Sequence, residues 1–151
     1  NMIKEICASI DAPITIIGGV EDGTIGAEIA KELNHVTNQA GSCSIDESAA
    51  LVKEAAVVIT HDTGMMHIAA ALQRPILSIW GNTIPGFGMY PFYPRGHQIQ
   101  SARFEVSNLR CRPCSKIGFS VCPKGHFKCM NLQSTQVIAA HAMKIIGAAM
   151  V

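Results

Sequence analysis

Between Ile59 and Pro75 the chain reads ITHDTGMMHIAAALQRP. An apolar run ends in Thr60-His61-Asp62-Thr63-Gly64, and a helical pattern starts at once, with His67 one turn later. A helix N-terminus carries free N–H groups and a partial positive charge, so it attracts phosphate. Gly64 admits a phosphate close to the backbone, beside Thr63 and Met65. Asp62 is a poor phosphate ligand, because both are anionic. It suits sugar hydroxyls, which donate hydrogen bonds to a carboxylate. A phosphate cradle beside a hydroxyl acceptor points to a nucleotide-sugar. The plainer reading of D-T-G is a helix cap worth about 1 kcal/mol, and a lone helical His is more often packed or solvated than a ligand. Two further stretches weigh against that reading: Gly18-Gly19-Val20-Glu21-Asp22 and Gly81-Asn82-Thr83 also follow apolar runs.

A second cluster, CRPCSKIGFSVCPKGHFKC, holds Cys111, Cys114, Cys122 and Cys129, with His126 between them. C-x-x-C is a zinc half-site, and four thiolates close a tetrahedral structural site. The second half, C-x6-C, is less regular, so free or disulfide-paired cysteines are favoured over zinc. Cys7 and Cys43 read as ordinary buried residues. The stretch PGFGMYPFYP, Pro85 to Pro94, is too rich in Pro and Gly for regular structure. It reads as a surface loop on the sheet edge, with a cleft wall of Phe87, Tyr90, Phe92 and Tyr93 as the alternative.

These residues need elements to hold them. The pattern predicts helices over Met2–Ser9, from Asp22 or Thr24 to Leu33, over Asp46–Ala55 starting near Ser44, over Met65–Leu72, and over Ser134–Ala149. It predicts strands at Pro13–Ile17, His35–Gln39, Ala56–Thr60 and Ile76–Trp80. Short apolar strands alternating with helices give an α/β fold, a Rossmann-like doubly wound parallel sheet. Ligands then bind beyond the carboxyl ends of the strands, so all three glycine-bearing exits should share one edge.

The chain has 151 residues, 48% hydrophobic and 15% charged, with a formal net charge of +1. That length fits one domain with a sizeable core. The charge gives no electrostatic case for nucleic acid or an anionic membrane. No apolar run reaches about 18 residues, and Asn1 to Glu5 lacks the layout of a secretory signal. No G-x-G-x-x-G follows the first strand, which disfavours an NAD-type domain.

PITIIGGVEDGTIGAEIA and AGSCSIDESAALVKEAAVVITHDTGMMHIAAALQRPILSIWGNTIP resemble the carboxyl-terminal half of the lipopolysaccharide heptosyltransferase family, glycosyltransferase family 9. The resemblance covers about residues 13 to 94 and continues more loosely to the last helix. It implies the C-terminal half of a GT-B enzyme, with two Rossmann-like domains flanking the active site. Asp62 matches the acid that contacts the donor sugar. Thr63, Gly64 and Met65 match the helix start that receives the pyrophosphate, and His67 the histidine near the phosphates. Gly19 and the pair Glu21-Asp22 match the loop holding the nucleoside, where Glu21 is preferred as acceptor of the ribose hydroxyls. Gly81-Asn82-Thr83 departs from the usual G-P-T.

The resemblance implies one Rossmann-like domain over 1–151, with a cysteine-containing insertion at 108–130 and a terminal helix at 134–149. The family's catalytic base lies in an N-terminal domain that this chain does not contain, so no catalytic residue is assigned here. The pyrophosphate-binding lysine and hydroxyls of the family's first strand–loop are not seen either. The implied reaction is inverting transfer of a heptose-like sugar from a nucleoside-diphosphate-sugar, ADP-heptose-like, to a lipopolysaccharide-type acceptor. No cofactor is required, and structural zinc is not favoured. The expected place is the cytoplasm or the cytoplasmic face of the inner membrane, with membrane association only through the parent enzyme. The chain alone is expected to be inactive and to self-associate, because its last helix would lack the domain it packs on. A non-catalytic nucleotide-sugar-binding or interaction domain of the same fold is the alternative.

Overall fold

The computed structural model describes residues 1–94 and 99–149. The chain runs α1 (Met2–Ala8), β1 (Ile14–Ile16), a 3₁₀ turn (Val20–Asp22), α2 (Gly23–Glu32), β2 (Val36–Asn38), α3 (Ile45–Glu54), β3 (Val58–Thr60) and α4 (Gly64–Ala71). It continues through β4 (Ile76–Trp80), a second 3₁₀ turn (Pro85–Phe87), β5 (Ala102–Glu105), α5 (Lys128–Asn131) and α6 (Thr135–Ala149). The expected α/β alternation is present. β5 and α5 are additions to it.

β4 is the centre, and its sequence shows why. All five of its residues are buried. Side chains alternate across a strand, so Leu77 and Ile79 enter the cluster with Ile6 of α1 and Ile138 of α6, while Ile76 and Trp80 enter the one with Val52 of α3 and Met66 of α4. A strand apolar on both faces is what a parallel sheet covered by helices requires. The buried polar atoms of β4 are paired: Trp80 Nε1 donates to Ser78 Oγ at 3.0 Å, and Ser78 Oγ to the Ala102 carbonyl at 3.4 Å.

The strands are parallel but form two sheets, β1-β2 and β3-β4-β5. One continuous sheet was expected. Ile14 N–H donates to the His35 carbonyl and Ile16 accepts from Gln39 N–H, so the backbone groups of Thr15 face away from β2. Val58 N–H donates to the Pro75 carbonyl, so those of Ile59 face away from β4. Among the described residues β1 and β3 share no ladder; Ile14, Val57 and Ile59 pack on one core cluster, Ile17 and Val58 on the other. In the doubly wound strand order 3-2-1-4-5-6 the break falls at the position of the first strand.

Two further expectations are corrected. The terminal helix is not orphaned: Ile138, Ala139, Ala142 and Ile145 are buried against α1 and β4. Cys43 is half-buried rather than buried, with its thiol 3.8 Å from Gln39 Oε1. No described helix is long and apolar enough to cross a membrane.

Candidate functional site

The exits of β3 and β4 open into one cavity of about 270 Å³. His61 and Asp62 line it at the β3 exit, Asn82 and Thr83 at the β4 exit as its floor, and Ile117 and Phe119 from a later segment as its wall. Each group is held by a local cause. The Thr60 hydroxyl donates to the His61 carbonyl at 3.1 Å, and the Thr63 hydroxyl lies 3.1 Å from Thr60 Oγ1. Thr63 is the residue before α4, but its hydroxyl is drawn back to Thr60 and caps nothing. Among the described residues, the amides of Gly64 and Met65 have no hydrogen-bond partner. Four free amides at a helix start are the normal surplus, and side chains usually meet part of it.

Asp62 is not the cap either. Its carboxylate makes no hydrogen bond or ion pair among the described residues, though the residue is half-buried. His61, which carries no sequence signal of its own, donates through Nδ1–H to the Ile79 carbonyl, 3.3 Å away. His67 is exposed on α4 and does not line the cavity. Gly64 has no structural reason to be glycine: an added Cβ would meet nothing within 4 Å. A strong acceptor beside two free donors, with open space over the glycine between them, is a polar site with both signs exposed.

The β1 exit is built differently and does not line this cavity. Asp22 Oδ2 accepts from Gly19 N–H at 2.9 Å, so that acid closes its own turn. The Glu21 carboxylate folds over Gly19, where a Cβ would lie 2.6 Å from it, and stays exposed. Among the described residues the Glu21 carboxylate makes no hydrogen bond or ion pair, so of the two acids it is the one not engaged in closing the turn.

The cysteine segment supplies the wall. Asn82 Nδ2 donates to the Phe119 carbonyl at 2.6 Å, and Cys114 N–H to the Asn82 carbonyl at 2.9 Å. All six cysteines are free thiols. Cys111 Sγ lies 3.7 Å from His126 Nε2. The Cys122 thiol is held below its ordinary range by backbone amides, that of Phe127 first. Burial pushes Cys114 and Cys129 up, with neighbouring thiols adding to it. Among the described residues no group of three or more His, Cys, Asp and Glu is placed to hold a metal ion. The Pro85–Pro94 stretch is a surface loop. Tyr93 and Met89 pack on the core, the Tyr93 hydroxyl donates to the Arg74 carbonyl at 2.9 Å, and none of its aromatics lines the cavity.

Residues 7–120 match the family model described as glycosyltransferase family 9 (heptosyltransferase). The lipooligosaccharide heptosyltransferase 2 of Haemophilus influenzae is 33% identical over 79 residues, 49% of this chain and 23% of that protein. The lipopolysaccharide heptosyltransferase 2 of Escherichia coli is likewise 33% identical over 79 residues, with the same shares. The chain thus matches about a quarter of the length of these curated relatives. The structure of the E. coli ADP-heptose lipopolysaccharide heptosyltransferase II superposes with a TM-score of 0.71 at 19% identity, over 99% of this chain and 42% of that one. A family 9 glycosyl transferase from Veillonella parvula gives 0.71 at 16% identity, over 96% and 41%.

Proposed function

Since the chain belongs to glycosyltransferase family 9, we propose that it is the donor-binding part of an inverting glycosyltransferase that moves a heptose-like sugar from an ADP-heptose-like donor to a lipopolysaccharide-core-type acceptor. The observation that carries the reading is the β3–α4 junction, where an unpartnered Asp62 carboxylate adjoins the free amides of Gly64 and Met65. The amides and the helix dipole receive the pyrophosphate. Asp62 accepts hydrogen bonds from the sugar hydroxyls. Glu21, from the neighbouring exit, takes the ribose hydroxyls, with Gly19 letting the nucleoside approach. Thr63 and His67 stand at the start and first turn of α4 beside the phosphates. The base that activates the acceptor hydroxyl comes from outside this chain, so the chain alone binds donor without turnover. The acceptor brings the parent enzyme to the cytoplasmic face of the inner membrane.

Calorimetric titration with ADP, an ADP-sugar and a UDP-sugar tests this. The ADP-sugar is expected to bind more tightly than ADP, because Asp62 adds sugar contacts, and more tightly than the UDP-sugar. Absence of binding by all three would overturn the reading.

A further inference from the structure

The end of β4 forms the cavity floor, and every carbonyl from Trp80 to Thr83 is hydrogen-bonded by a residue from beyond β5. Trp80 O accepts from Gln133 Nε2 at 3.1 Å, and Asn82 O from Cys114 N–H at 2.9 Å. The other two belong to one side chain: Arg112 Nε donates to the Gly81 carbonyl and Nη2 to the Thr83 carbonyl at 3.0 Å. The same guanidinium reaches the β5 exit, with Nη1 3.3 Å from the Val106 carbonyl and Nη2 2.8 Å from Glu105 Oε2. The Arg112 side chain is only 7% exposed, and Glu105 offsets its charge.

Arg112 does not line the cavity, and four of its five N–H directions are engaged, so it is not a phosphate ligand. We propose that Arg112 is a positioning residue of the donor cleft: its planar fork fixes the Gly81–Thr83 floor and, through it, the wall of Ile117 and Phe119 in the cavity that Asp62 also lines. The coupling is short. Asn82, between the two carbonyls that Arg112 holds, grips the wall at Phe119 and accepts from Cys114 two residues after Arg112. The wall lines the same cavity as Asp62, the proposed sugar-binding residue, whereas the amides proposed for the pyrophosphate lie at the start of α4 and do not line it. Loss of Arg112 therefore lets the sugar subsite widen and leaves the phosphate cradle intact. A lysine cannot replace it, because one ammonium lacks the fork that spans Gly81, Thr83 and Glu105.

This inference rests on the donor-cleft reading, and the experiment separates the two. Arg112→Lys and Glu105→Gln are compared with the unaltered chain by calorimetric titration with ADP and an ADP-sugar, by thermal melting, and by amide exchange of residues 114–127. Arg112→Lys is expected to weaken the ADP-sugar about tenfold, the size of one lost charge-assisted hydrogen bond, to change ADP less than about twofold, and to speed exchange across 114–127. Glu105→Gln, which keeps the carbonyl contacts, is expected to show a smaller loss of the same kind. Equal losses for ADP and ADP-sugar with a lowered melting temperature would make Arg112 merely structural and overturn the proposal. So would unaltered exchange across 114–127 in Arg112→Lys. If the unaltered chain binds neither ligand, the donor reading fails, and the exchange measurement alone decides whether Arg112 holds the wall.

Discussion

Before α3, the Ser44 hydroxyl accepts from the Glu47 amide at 3.3 Å while the Glu47 carboxylate accepts from the Ser44 amide at 2.8 Å. Before α4, the Thr63 hydroxyl turns back to Thr60, and Asp62 bonds to nothing among the described residues. Both junctions place a hydroxyl and an acid at a helix start. At the first, donors and acceptors satisfy one another and the helix is closed off. At the second they are held apart: Asp62 lines the cavity, and the Gly64 and Met65 amides stay unpartnered among the described residues. The β1 exit lies between these cases, since Asp22 closes its turn and Glu21 does not. A cap satisfied within the chain stabilises a helix. A cap left open leaves that interaction for a ligand.

The comparison breaks most sharply at Gly64. Gly64→Val puts a branched side chain over the two free amides, and nothing in the fold resists it, because the space is open. Both ADP and an ADP-sugar are expected to bind weaker by about 3 kcal/mol or more, since two hydrogen bonds to a charged group are worth about 1.5–3 kcal/mol each. The melting temperature is expected to hold or rise, because glycine is the poorer helix residue. Unchanged affinity for both ligands would show that α4 is not the phosphate cradle.

Asp62→Ala sharpens the same contrast with a smaller effect. The ADP-sugar is expected to lose about 1–3 kcal/mol, the range for a charged hydrogen-bond partner. ADP lacks the sugar and is expected to bind as before or slightly better, with one repelling charge gone. Because Asp62 caps nothing, the melting temperature stays put. Calorimetry that found equal losses for the two ligands would remove the sugar contact from Asp62.

The sequence made these junctions readable for a physical reason. Strand ends, glycines and acids are local signals, and the strands β1 to β4 and the long helices follow from apolar periodicity over a few residues. The cavity wall had no such signal. Ile117 and Phe119 reach the site because Asn82 bonds to a carbonyl 37 residues away, and neither spacing nor composition encodes that. β5 was passed over because Ala102-Arg103-Phe104-Glu105 is short and half charged, as an edge strand is. The break between β1 and β3 was also invisible, since their side chains are as apolar as a paired strand would need. Only the register shows that the backbones of Thr15 and Ile59 face away from their partners.

The acidic pair at the β1 exit offers a control within one turn. Asp22→Ala removes the acceptor of the Gly19 amide and is expected to cost about 1 kcal/mol of stability, the usual worth of such a hydrogen bond, with little change in ligand affinity. Glu21→Ala is expected to do the reverse: an unaltered melting temperature, and ADP weakened by under about 1 kcal/mol for an exposed contact with the ribose. Exchange of these two phenotypes would assign the nucleoside contact to Asp22.

The smallest effect belongs to the satisfied cap. Hydrogen bonds from the Ser44 amide, and then from the Ser44 hydroxyl, hold the Glu47 carboxyl below its ordinary value of 4.5. A carboxylate whose folded value is depressed binds fewer protons in the native state than in the unfolded chain. Its stabilisation is therefore fully present above the unfolded value and fades as the pH falls through the folded one. Glu47→Gln keeps an acceptor at this position but removes the charge near the positive end of α3. The unaltered chain is expected to melt slightly above Glu47→Gln at pH 7, and the gap is expected to narrow steadily as the pH drops below about 4.5. Thermal melts of both chains from pH 7 to pH 3 measure it. A gap that stays constant over that range would mean that the Ser44–Glu47 cap owes nothing to the ionised carboxylate, and the contrast with the open cap at α4 would then rest on the hydroxyls alone.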